Sequence, residues 1–137
     1  MSIGHFAIAF VCALVVAQAS DWLLTGVLFH DKYLANPEVW RHTDDRGAET
    51  RAIVIAGVMT AVSVLALEYL VVRLGFSTYH GVLKLALAIW VIGVLPNVVT
   101  YAAFIKLHPA NSAMNALTWI IKLCATAVIT LFFMRLG

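Results

Sequence analysis

Apolar residues in this chain do not alternate with polar ones; they run together in four blocks, 3–29, 52–74, 82–105 and 113–134, interrupted by isolated polar side chains. A helix needs about 20 residues to cross the hydrocarbon core of a bilayer. Each block therefore predicts a membrane span, and the whole predicts an all-α, four-transmembrane-helix antiparallel bundle forming one domain over 1–137. The connections around "FSTYHG" and "KLHPAN" are short, which makes consecutive helices antiparallel neighbours. The first connection, "HDKYLANPEVWRHTDDRGAETR", is longer and carries a helix start at Asn36, Pro37 and Glu38: an N-cap, a proline where no donor is needed, and an acid at the positive end of the dipole. With Trp40 and Tyr33 as aromatic anchors, it predicts a short interfacial helix over about 37–46, stopped by Gly47.

The polar interruptions fall in register. Ala9, Ala13 and Ala17 repeat every four residues, a small-residue stripe that lets membrane helices approach closely, and the next position is Asp21. The second block places Gly57, Ala61 and Glu68 on one face. The third offers Gly93, Asn97, Thr100 and Tyr101, with Pro96 removing a backbone donor, and the fourth offers Asn115, Thr118, Lys122 and Ala125. At about 1.5 Å per residue, Asp21, Asn97 and Lys122 lie roughly 12, 12 and 15 Å below the side bearing the long loop. Glu68 lies about 24 Å below that side, near the opposite surface. The expectation is a midplane cluster of Asp21, Asn97 and Lys122, and a shallower one in which Glu68 meets Lys84 or Arg73.

A charged side chain at the centre of a span costs about 2.5 to 3.5 kcal/mol even on a lenient insertion scale. If Asp21 and Lys122 pair, they lock the first span to the last. If they do not, Asp21 can serve as a proton carrier. The same acid bears on chain processing, because "VVAQASDWLL" holds an A-x-A triplet of the kind that a signal peptidase cuts. The preceding "MSIGH" lacks Lys and Arg, and the apolar block continues to Phe29, so the first block reads as an uncleaved span.

Composition agrees with the pattern. The chain is 63% hydrophobic and 12% charged, against about 45–50% and 25% for soluble domains, and its mean hydropathy is +0.95. A net charge of +2 with no basic stripe sets nucleic-acid binding aside. Cys12 and Cys124 stand singly in apolar blocks and read as small core residues. No paired-carboxylate site, HExxH, nucleophile elbow or Gly-rich phosphate loop is present, so the sequence leans away from an enzyme and implies no cofactor and no metal. Trp22, Trp119 and Tyr101 are candidates to wall a cavity for a small amphipathic ligand. Basic residues in the first and third loops slightly outnumber those opposite, which favours termini outside the cytoplasm.

Two longer stretches carry a resemblance. "DWLLTGVLFHDKYL" ends the first span with a Trp, an apolar run, Leu-Phe and a polar, aromatic-containing segment. "PNVVTYAAFIKLHPANSAMNALTWIIKL" joins an Asn, a Phe-containing helix end, a short turn and a second Asn, Asn115, opening the last helix. Both resemble the corresponding parts of a domain-of-unknown-function family of small four-helix bacterial integral membrane proteins. One departure is "TWIIK", where that family favours a Tyr-His pair. The resemblance implies four helices and the bacterial cytoplasmic membrane, and it supplies no activity. The small multidrug transporters share the four-helix size and an acid in the first span but lack the charged first loop.

The reading from sequence is thus a membrane protein with a polar midplane site that binds or transports a small ligand, with proton coupling as an option. Candidate residues are Asp21, Asn97, Lys122, Glu68, Tyr101, Trp22 and Trp119. The alternative is a structural or accessory subunit in which the buried charges only fix helix packing. Beyond the lipid bilayer, the small-residue faces offer a route to a homo-oligomer.

Overall fold

The computed structural model describes residues 1–31, 46–106 and 108–137. Those residues are helical almost throughout, and four helices are long and apolar enough to cross a membrane. They are α1 (Ile3–Leu28), α2 (Arg46–Arg73), α3 (Tyr79–Phe104) and α4 (Pro109–Leu136). The interfacial helix expected over about 37–46 lies outside the described residues except for its last position. Arg46 and Gly47 open α2, so Gly47 begins a helix instead of stopping one. A glycine ends a helix by taking a positive φ, and among the described residues Gly75 does so, at 66°, just beyond α2.

The helix starts follow from their caps. Ser2 Oγ accepts the His5 backbone N–H at 3.2 Å, and Thr78 Oγ1 accepts that of Gly81 at 3.2 Å. His108 Nδ1 accepts the Ala110 N–H at 3.1 Å, directly before Pro109 enters the first turn of α4. Each cap satisfies one of the donors that a helix start leaves open.

Helix α4 is the hub, because it packs against each of the other three and is the most deeply buried of them. Leu123, Ala127 and Leu131 of α4 meet Leu67 and Val71 of α2 and Val82 and Ala86 of α3 in one apolar core. The alanine stripe of α1 forms a second core: Ala13 and Ala17 are fully buried and pack with Val64. Gln18 Nε2 donates to the Gly57 carbonyl at 3.3 Å, so residue numbers rise along α2 as they fall along α1. Trp90 Nε1 donates to the Ala116 carbonyl at 2.8 Å, tying α3 to α4. At the other end, Arg135 donates to the Ser77 carbonyl and covers the Tyr79 ring, closing α4 over the α2–α3 turn. The small-residue face of α1 is therefore used up inside the chain, and the large exposed side chains of α1, α2 and α3 are overwhelmingly apolar, as lipid-facing surfaces must be.

Two helices are locally wide. Trp22–Leu28 of α1 and Trp90–Val94 of α3 are π-helical, and Pro96 follows the second segment by two residues. The Phe29 N–H reaches the Leu24 carbonyl at 2.9 Å, five residues back. Such turns hold more residues than an α turn, so side chains beyond them are rotated relative to a strict 3.6-residue pattern.

Because Ala13 has no free surface, Ala13→Leu should force α1 away from its neighbours. The expected loss is about 1–3 kcal/mol of stability, measured as thermal unfolding in detergent micelles against Val11→Leu, a change at an exposed position.

Candidate functional site

The alanine stripe fixes which way α1 faces, and one turn beyond Ala17 the same face presents Asp21. Helix α4 presents Lys122 one turn beyond buried Thr118. The two meet with Lys122 Nζ 2.5 Å from Asp21 Oδ2. Lys122 also donates to Thr60 Oγ1 of α2 at 3.4 Å, and its ammonium lies 4.7 Å from the centre of the Trp119 ring. One cation thus ties three helices together. The pair stands seven residues from the end of α1 and thirteen from the start of α4, about 10 and 20 Å along their axes. It lies where an unpaired charge would be most costly.

The partners are not equally enclosed: the Lys122 side chain is 7% exposed and that of Asp21 33%. The exposed side of Asp21 faces a groove of about 410 Å³, within the usual range of about 300–1,000 Å³ for small-molecule sites. Asp21 and Thr25 of α1 form one wall, and Val98 and Tyr101 of α3 with Ile105 just beyond its end form the other. The base comes from the first half of α4, with Asn111, Ser112, Met114, Asn115 and Thr118. Helices α1 and α3 both pack on α4 and make at most slight contact with each other, so the groove separates them. Thr118 Oγ1 donates to the Met114 carbonyl at 2.8 Å, leaving its oxygen free to accept. A second void, of about 10 Å³, lies beside Lys122 between α2 and α4, lined by Thr60, Ser63, Trp119 and Thr126 among others.

The structure brings together Asp21 and Lys122, seats Trp119 against the ammonium and puts Tyr101 on the groove wall. It does not bring Asn97 to them. Asn97 is exposed and donates from Nδ2 to the Gly93 carbonyl at 2.6 Å. The π-helical turn at Trp90–Val94 has rotated the following residues, so Val98 takes the inward position. Trp22 is 68% exposed and belongs to the outer surface of α1. Glu68 is fully buried, but the shallower cluster expected around it does not form. Neither of its carboxylate oxygens has a hydrogen-bond partner among the described residues, and Lys84 and Arg73 are exposed. Arg73 follows Glu68 by five residues, about 140° around α2, and Lys84 lies two positions from inward-facing Val82 and Ala86, on the other flank of α3. Thr25, Asn111 and Ser112 escaped the sequence reading. Thr25 lies inside the π-helical segment, and Asn111 and Ser112 precede the apolar block from which the fourth span was drawn, in a helix that begins at Pro109.

A family model described as a protein of unknown function (DUF1761) matches residues 8–131. The chain belongs to this family. No curated protein and no solved structure gives a significant match.

Glu68 contributes a buried carboxyl with no compensating bond among the described residues, which costs stability. Glu68→Gln, close in shape, should leave thermal stability unchanged or raise it. A loss of several kcal/mol in the same unfolding assay would show that the carboxyl holds a partner.

Proposed function

Since membership in a family of unknown function assigns no activity, we propose from the geometry that the protein binds a small amphipathic ligand within the membrane, in the groove between α1 and α3. The observation that carries this reading is a 410 Å³ groove ending on a partly exposed carboxylate and walled by hydroxyl, amide and apolar groups. Ligand sites commonly combine an apolar lining with a few placed polar groups, and an ionisable residue retained inside a membrane protein is a functional candidate. The site we propose consists of Asp21, Thr25, Tyr101, Asn115 and Thr118, with Lys122 and Trp119 holding Asp21 from behind. Asn97, Glu68 and Trp22 have no part in it. In the reading we propose, the protein sits in a bacterial cytoplasmic membrane with its termini outside, and the groove mouth opens on the cytoplasmic side.

The ion pair itself favours a second reading, in which it serves as a structural lock of an accessory subunit. Lys122 is nearly enclosed and bonded to two helices besides its own, as a register-fixing group would be.

Two experiments address these readings. In native mass spectrometry of protein extracted in mild detergent, a retained small molecule should be lost from Asn115→Trp, which fills the groove without touching the pair. Equal retention by this variant, or no retained molecule in either protein, contradicts the ligand site. Asp21→Asn leaves Lys122 buried without its counter-ion and should cost about 3–5 kcal/mol, whereas the double variant Asp21→Lys with Lys122→Asp restores an opposite pair. Recovery of stability without ligand retention favours the site, and recovery of both favours the lock.

A further inference from the structure

We infer that the groove selects ligands bearing an ammonium group on a hydrocarbon tail, the ammonium bound by Asp21 and the tail leaving between α1 and α3 toward lipid. This rests on the groove being a ligand site, as proposed above, and adds the class of its occupant. The two carboxylate oxygens of Asp21 do different work. Lys122 takes Oδ2, and no described residue donates to Oδ1. Asp21 is the carboxylate of the groove lining, and its cation, Lys122, lies behind it, outside the lining. An anion entering the groove would meet the carboxylate before it could reach Lys122. A neutral head group would return a hydrogen bond with only its acceptor charged, whereas an ammonium brings a charged donor to a charged acceptor and adds Coulomb attraction in a poorly solvated site.

The acceptors in the lining also suit a cation. An ammonium has three donors and needs three acceptors. Around Asp21 the groove supplies the hydroxyl oxygens of Thr25, Ser112 and Thr118 and the amide oxygen of Asn115, while the exposed Tyr101 ring offers a face to a cation. The groove also offers a tail an exit. Val98, Ile105 and Met114 line the remainder with hydrocarbon, and the two walls belong to helices that barely touch. A tail can therefore pass sideways into the bilayer without crossing a packed interface. The chemistry is common to an aminophospholipid head group and a free long-chain amine.

The test uses the full chain in lipid nanodiscs, with retention read by native mass spectrometry. The probes are phosphatidylethanolamine and dodecylamine, each against its N-acetylated counterpart, which keeps the tail and removes the ammonium charge. The wild type should retain at least one amine about tenfold better than its acetylated form, and Asp21→Asn should abolish the preference. Retention of phosphatidylethanolamine alone identifies a lipid, and of dodecylamine alone a free amine. Thr25→Val with Asn115→Leu, which leaves the ion pair intact, should weaken amine binding even if Asp21→Asn fails to fold. If the acetylated forms bind equally and Asn115→Leu weakens both, the groove binds ligands but the ammonium preference is wrong. If no probe responds to any groove substitution, both the preference and the ligand site fail.

Discussion

A lysine and an aspartate facing each other within a bundle of apolar helices impose the constraint on which the rest of this structure depends. Neither charge could be left alone at that depth without a cost of several kcal/mol, and meeting at 2.5 Å requires α1 and α4 to have fixed rotation and height relative to one another. The fully buried Ala9, Ala13 and Ala17 provide the close approach, since any larger side chain there would hold α1 off. Thr60 extends the same constraint to α2, and the Trp119 ring stabilises the ammonium from the side. In lipid, apolar burial contributes little to holding helices together. A few polar contacts of this kind, with small-residue packing, therefore carry an unusual share of the specificity.

The groove follows from how the other helices accommodate that pair. Helix α3 is fastened to α4 by Trp90 at its middle and by the apolar core toward its start. Between these contacts and its end lie a π-helical turn and Pro96, which rotate the second half and separate it from α1. Helix α1 has its own π-helical end, opposite that half. The result is a largely apolar cleft with the exposed edge of the ion pair on its α1 wall, so the feature that fixes the fold also supplies the charge of the proposed ligand site. Lock and site are different uses of the same two residues.

Much of this was legible in the sequence, and the limits are physical. Four spans appear as uninterrupted apolar blocks because a bilayer demands length and admits little charge. The inward face of α1 was readable because three alanines at four-residue spacing need no tertiary information, and Lys122 stood out because a central lysine must find a partner. Asn97 was misplaced because the 3.6-residue period was carried through a π-helical turn that no residue type announces. Glu68 was assigned to Lys84 or Arg73 on depth alone, whereas direction around the helix decides contact, and both bases point outward. The groove was not legible, because it is a separation between helices and leaves no mark in any one of them.

Both the lock between α1 and α4 and the groove beside it require Asp21 and Lys122 to be in direct contact. Solid-state NMR of the protein in lipid bilayers, with ¹⁵N at Lys122 Nζ and ¹³C at the Asp21 carboxyl, measures their dipolar coupling directly. A strong coupling, the signature of a hydrogen-bonded ion pair, is the predicted result. Absence of coupling in protein that retains its helical content would mean that the two charges have other partners, and would contradict both the lock between α1 and α4 and the groove built upon it.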